Sequence, residues 1–111
     1  MYVVRDVFKA KPGSAKALVE KFKAAISYIE STRVSGVRLI TDTVAGYWTV
    51  VVEWEVEEMD DYFNMHGGRA ADPRWGEAMK GYMDLVDGGH REIFTVETAW
   101  TKSDITVGDD T

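Results

Sequence analysis

Residues 47–56, YWTVVVEWEV, constrain this chain more than any other stretch. Strand side chains alternate sides, so Trp48, Val50, Val52, Trp54 and Val56 share one face while Tyr47, Thr49, Val51, Glu53 and Glu55 share the other. The first face demands burial. The second, with Val51 and Tyr47 among polar groups, is too apolar for open solvent and too polar for a dry core, so a second layer or a ligand is expected to cover it. A dimer meets that requirement.

The remaining elements follow from turn and periodicity signals. Residues 2–8 read as a first strand, and Pro12-Gly13-Ser14 supplies a turn with Ser14 as the expected helix N-cap. Leu18, Phe22, Ala25, Ile26 and Ile29 then recur at spacings of three and four, the stripe of a helix lying on a sheet. Ser35-Gly36 opens a second strand over 37–42, in which Val37 and Leu39 alternate with Arg38 and Ile40, and Ala45-Gly46 turns it into the long third strand as a hairpin. Residues 57–65 read as a short helix with Met59, Tyr62 and Phe63 on one side, ended by Gly67-Gly68. Asp72-Pro73 starts a further helix, with Trp75, Met79, Tyr82, Met83 and Val86 as its stripe and Gly88-Gly89 as its stop. The last strand is expected over 90–100, with Phe94, Val96, Thr98 and Trp100 opposite Ile93, Thr95, Glu97 and Ala99.

Strand, helix, strand, strand, helix, strand is the split βαβ order, a ferredoxin-like α+β sandwich whose four-stranded antiparallel sheet carries its helices on one face. The 111 residues suffice for one domain, expected over 1–100, with a polar, acidic tail over 101–111 in which Ile105 and Val107 could add a short strand to a partner. A domain of this size has much surface for its volume, so a partner subunit would add burial the monomer lacks.

Composition removes several function classes. Without cysteine there are no disulfides, thiolate nucleophiles or sulfur-ligated zinc sites. A net charge of -6, with dispersed basic residues, disfavours nucleic acid and anionic membranes as partners. A strand pattern begins within a residue of Met1 and no apolar run spans a bilayer, so a soluble cytoplasmic protein is the expectation. Two histidines far apart in sequence do not make a metal-ligand spacing, and the glycine pairs lack a phosphate-cradling context, so neither a metal nor an organic cofactor is expected.

The runs EWEVEEMDDYF, ADPRWGEAM and LVDGGHREIFTVE resemble members of the dimeric α/β-barrel superfamily, above all its small NIPSNAP-like and antibiotic-biosynthesis-monooxygenase-like branches. The resemblance spans roughly residues 2–100 and consists mostly of fold motifs. It implies a homodimer whose two sheets form a shared barrel, with a small-molecule pocket beside the sheet in those members that are enzymes. Activities in the superfamily include cofactor-independent oxygenation of aromatic polyketides, haem degradation, and isomerisation or hydrolysis of small cyclic acids. Haem degradation goes with an asparagine on the first strand, whereas the only asparagine here is Asn64 on the second helical segment. The monooxygenase-like branch pairs a glutamate and an aromatic on the third strand with a histidine on the next helix, which Glu53, Trp54 and His66 resemble across a longer interval.

Each candidate site residue carries a functional and a structural account. His66 could relay a substrate proton, or simply answer the dipole at a helix end; His90 is a lesser candidate of the same kind. Glu53 could act as a general base if desolvation beside Trp54 and Val51 raises its proton affinity. Arg5, Arg38, Glu53 and Glu97 could gather on a sheet face to orient a ligand, or pair across a dimer interface. Trp75, Met79, Tyr82, Met83, Trp48 and Trp54 could line a pocket accepting an apolar or aromatic molecule, or form plain helix-on-sheet core. Two functional readings stand: a cofactor-independent monooxygenase or isomerase using His66 and Glu53, and a non-catalytic dimeric binding or interaction module. An open cavity with a polar group facing it separates them.

Overall fold

A computed structural model of the chain describes residues 1–29, 33–67 and 72–105, with the side chains of residues 66 and 67 outside that description. Its elements are β1 (Tyr2–Ala10), α1 (Ala15–Ile26), β2 (Gly36–Thr41), β3 (Thr49–Val56), α2 (Met59–Gly67), α3 (Pro73–Ala78) and β4 (Val86–Thr95). The four strands form one sheet in the order β2-β3-β1-β4, antiparallel throughout. This is the ferredoxin-like α+β architecture expected from the order of elements, with the hairpin of strands two and three in place.

The alternation in β3 governs the packing. Val50, Val52, Trp54 and Val56 are buried beneath the helices, where they meet Val4 and Ala10 of β1, Leu18, Phe22 and Ala25 of α1, and Tyr62 and Met65 of α2. Cross-strand register then puts Val3, Arg5 and Val7, Val51 and Glu53, Arg38 and Ile40, and Glu92 and Phe94 together on the opposite face.

Several local expectations give way to tertiary geometry. Trp48, expected on the buried face, precedes β3 with a left-handed φ of 64°, which breaks the alternation and leaves the indole exposed. Ser14 stands at the N-cap of α1 but its side chain makes no capping hydrogen bond, whereas the Asp72 carboxylate caps α3 by accepting from the Arg74 amide at 2.9 Å. In α2 it is Tyr62 that is buried, while Phe63 is half exposed. Gly68, expected as part of the helix stop, lies outside the described residues.

The largest departure concerns residues 79–100. α3 ends at Ala78, not at Gly88-Gly89; Gly81 takes a left-handed φ of 83°, Tyr82–Leu85 form a 3-10 turn, and Val86 already belongs to β4. Glycine at position 81 releases the chain from the helix at little steric cost, so Met83 leaves the stripe and is 71% exposed. Gly88-Gly89 run inside the strand rather than before it. A Cβ on Gly89 would stand 2.5 Å from the Val7 carbonyl oxygen, so only glycine lets β4 approach β1 this closely. The strand stops at Thr95 because its partner β1 begins at the facing Tyr2. Glu97 and Trp100, expected in the strand, follow it in exposed, irregular chain. Beyond a short 3-10 turn at Lys102–Asp104, Ile105 is exposed and forms no strand, while Val107 and the rest of the acidic tail lie outside the described residues.

Candidate functional site

The helix-facing side of β1 reads Tyr2, Val4, Asp6, Phe8, Ala10, one acid in an apolar row. Antiparallel register sets Asp6 beside Val52 on β3 and Arg91 on β4. Only 8% of Asp6 is exposed, and its carboxylate accepts three hydrogen bonds. The Tyr62 hydroxyl donates to Oδ2 at 2.5 Å, the Trp54 indole Nε1 donates to the same oxygen at 3.2 Å, and Arg91 Nε donates to Oδ1 at 2.6 Å. The guanidinium carbon of Arg91 also lies 4.9 Å from the centre of the Tyr62 ring. Burial, reinforced by the hydrogen bond to Asp6, pushes the Tyr62 phenol well up, so this hydroxyl stays a donor. The hydrogen bond to Asp6 pushes the Arg91 guanidinium up against the opposing effect of burial.

This cluster borders a cavity of about 220 Å³ between the sheet and the helices. Its apolar wall is built by Phe8 and Val52 of the sheet, Phe22 of α1, and Trp54, Trp75, Met79 and Tyr82; Asp6 and Arg91 are the charged groups lining it. Trp75 leans on Trp54 at 5.9 Å between ring centres, and Tyr82 meets Phe8 edge-on at 6.4 Å. The structure thus brings together four of the residues expected to bind substrate: Trp54, Trp75, Met79 and Tyr82.

Arg5, Arg38 and Glu53 come together as well, but on the opposite face of the sheet. Glu53 is 3% exposed and accepts from Arg5 Nε at 2.7 Å and from Arg38 Nη2. Burial of this carboxyl favours its neutral form, as expected for a base, yet the hydrogen bonds from Arg38 and Arg5 outweigh burial and hold it below the usual carboxylate range. The physical reason Glu53 departs from the expected raised proton affinity is therefore this pair of guanidinium donors. A depressed carboxylate stabilises the fold at pH values above its unfolded pKa of about 4.3, and that contribution disappears as pH falls through the lower folded value. Glu53→Gln is accordingly expected to cost about 1 kcal/mol at neutral pH. In urea titrations the gap from wild type should close below about pH 4; a gap independent of pH would contradict the ion-pair account.

His66 falls in the last turn of α2, and its side chain lies outside the described residues. His90 is on β4, facing away from the cavity and bonded to Glu92 at 3.0 Å. Among the described residues no group of three His, Asp or Glu side chains is placed to hold a metal ion, and no helix is long and apolar enough to cross a membrane. The residues that sequence reasoning missed are Asp6, Tyr62 as a donor, and Arg91. An acid in the apolar row of the first strand was the available signal for Asp6, but Arg91, inside the expected last strand, comes beside Asp6 only through the register of β4 on β1.

No protein-family model matches the chain, and no curated protein matches its sequence. Solved structures do match its fold. A NIPSNAP family protein from Agrobacterium tumefaciens str. C58 superposes with a TM-score of 0.69 at 15% identity, covering 85% of this chain and 90% of that one. An uncharacterized NIPSNAP domain protein from Burkholderia xenovorans gives a TM-score of 0.70 at 14% identity, covering 92% and 100% of the two chains. An antibiotic biosynthesis monooxygenase gives 0.71 at 10% identity, covering 88% and 100%. At such identities the likeness is one of fold: this chain has the ferredoxin-like α+β fold of NIPSNAP and antibiotic-biosynthesis-monooxygenase proteins, as the resemblance in its sequence implied.

Proposed function

We propose that this chain is a homodimeric protein that takes a small apolar or aromatic molecule between its sheet and helices and transforms it without an organic cofactor, as a monooxygenase or isomerase. The cavity of about 220 Å³ carries the reading, because a purely structural module would fill that space with its own side chains. Asp6 and Arg91 supply the polar side that an apolar packing defect would lack. The likeness to an antibiotic biosynthesis monooxygenase adds support at the level of fold analogy. In this reading Trp54, Trp75, Met79 and Tyr82 hold the substrate, and His66 relays the proton whose removal starts either reaction. Glu53, Arg5 and Arg38, facing the other way, serve the surface where two sheets meet, flanked by Val51, Ile40 and Phe94.

The test is a ligand-observed NMR screen of apolar and aromatic fragments against wild type and Trp75→Ala. Saturation transfer that drops several-fold in the variant supports the reading. Transfer that is absent, or equal in both proteins, favours the non-catalytic module. Fragments that bind are then followed under air for oxygen uptake and for proton exchange, where His66→Ala should slow turnover about a hundredfold or more. Sedimentation equilibrium on the same samples should give twice the 12.5 kDa of the chain, and the mass of a single chain would remove the dimer from the proposal.

A further inference from the structure

The cavity has a charged side whose shape says more about the ligand than its apolar walls do. Arg91 spends only Nε on Asp6, and its two Nη groups meet no acceptor among the described residues. A guanidinium fixed at Nε presents the rest of its planar fork in a set orientation, the geometry that grips a carboxylate through two parallel hydrogen bonds. The Arg91 side chain is 48% exposed and also lines the cavity, whose rings run from the fully buried Trp54 to the partly buried Trp75 and Tyr82. Both oxygens of Asp6 already accept hydrogen bonds, from Tyr62 and Trp54 on one and from Arg91 on the other, so Arg91 and not Asp6 is the charged group turned to the ligand.

Volume narrows the body of the ligand. At about 220 Å³, the cavity falls short of the range of about 300–1,000 Å³ that takes drug-sized molecules. A single ring with a short substituent matches such a space.

We infer that the ligand of this cavity is a single-ring aromatic carboxylate, its ring against Trp54, Trp75 and Tyr82 and its carboxylate on the Nη groups of Arg91, with Asp6 as the positioning residue that aims the arginine. The inference rests on the small-molecule reading above and names its substrate class. The phenol of Tyr62, kept protonated by burial and by Asp6, holds the aspartate in place rather than taking part in ligand binding.

The experiment titrates ¹⁵N-labelled protein with benzoate, with its neutral counterpart benzamide and with anthracene-9-carboxylate, following the four tryptophan indole N–H resonances. Benzoate is expected to move Trp54 and Trp75 but not the exposed Trp48 and Trp100, and to bind at least about tenfold more tightly than benzamide. Arg91→Gln should make the two probes equal. Should that variant not fold, Arg91→Lys keeps a positive charge beside Asp6 without the planar fork, and benzoate should weaken several-fold. Benzamide binding as well as benzoate to wild type would overturn the anion assignment while leaving a small-molecule site standing. Anthracene-9-carboxylate moving the same two indoles with equal affinity would overturn the single-ring assignment. If no probe moves Trp54 or Trp75, this inference and the small-molecule reading fall together.

Discussion

Trp54→Ala is expected to lower folding stability by about 3–5 kcal/mol, the range for removing a large aromatic from a core that closes only partly around the gap. Trp54 is 1% exposed, lies 6.2 Å from Tyr62 in a stacked arrangement and 5.9 Å from Trp75, and forms part of the cavity wall. Its removal merges the existing cavity with the space the indole leaves, so little collapse can offset the lost contacts. Domains of this size are stable by about 5–15 kcal/mol, so the variant should unfold at markedly lower urea concentration. Trp54→Phe keeps a ring but no N–H and should fall between the two. A loss below about 1 kcal/mol for the alanine variant would mean that Trp54 is not the wall between sheet and helices described above.

Asp6→Ala is expected to cost about 3 kcal/mol, because the buried Tyr62 hydroxyl and Trp54 indole N–H each lose the hydrogen bond that Asp6 accepts, at about 1–3 kcal/mol each. Asp6→Asn can keep a carbonyl oxygen where Oδ2 stands, for both donors, and loses only the acceptor for Arg91, so it should cost about 1 kcal/mol. Urea midpoints of the two variants measure the difference. Equal losses would show that the negative charge facing Arg91, absent from both variants, and not the capacity of residue 6 to accept from Tyr62 and Trp54, is what the fold needs. Arg91 sits partly in solvent and can turn to water when Asp6 is gone, so the two buried donors decide the magnitude.

These two residues also mark how far the sequence could be read. Trp54 was placed correctly because β3 alternates through a full strand, and a period of two over that length admits one register with one buried face. The same regularity made the hairpin of strands two and three and the gathering of Arg5, Arg38 and Glu53 on one face legible. Residues 79–100 were not legible, because Trp75, Met79, Tyr82, Met83 and Val86 keep helical spacing while the backbone beneath them passes through three states, helix, 3-10 turn and strand. What decides there is Gly81 in a left-handed conformation and Gly89 pressed against Val7, both effects of backbone sterics that carry no hydrophobic period. Arg91 lay within the expected last strand, and what joins it to the site is the pairing of Arg91 with Asp6 across β1 and β4.

Adjacent residues on β1 feed opposite sides of the sheet: Arg5 reaches Glu53 on one, and Asp6 reaches Tyr62, Trp54 and Arg91 on the other. Sliding the central strand by one residue would bring Arg5 among the cavity aromatics and leave Glu53 facing the carboxylate of Asp6, placing a charge among apolar rings on one side and setting like charges together on the other. Such a slip is ruled out twice over, by electrostatics as well as by packing. β1 therefore acts as the key that fits in one position, and the cavity and the open face are cut by the same strand in the same act of folding.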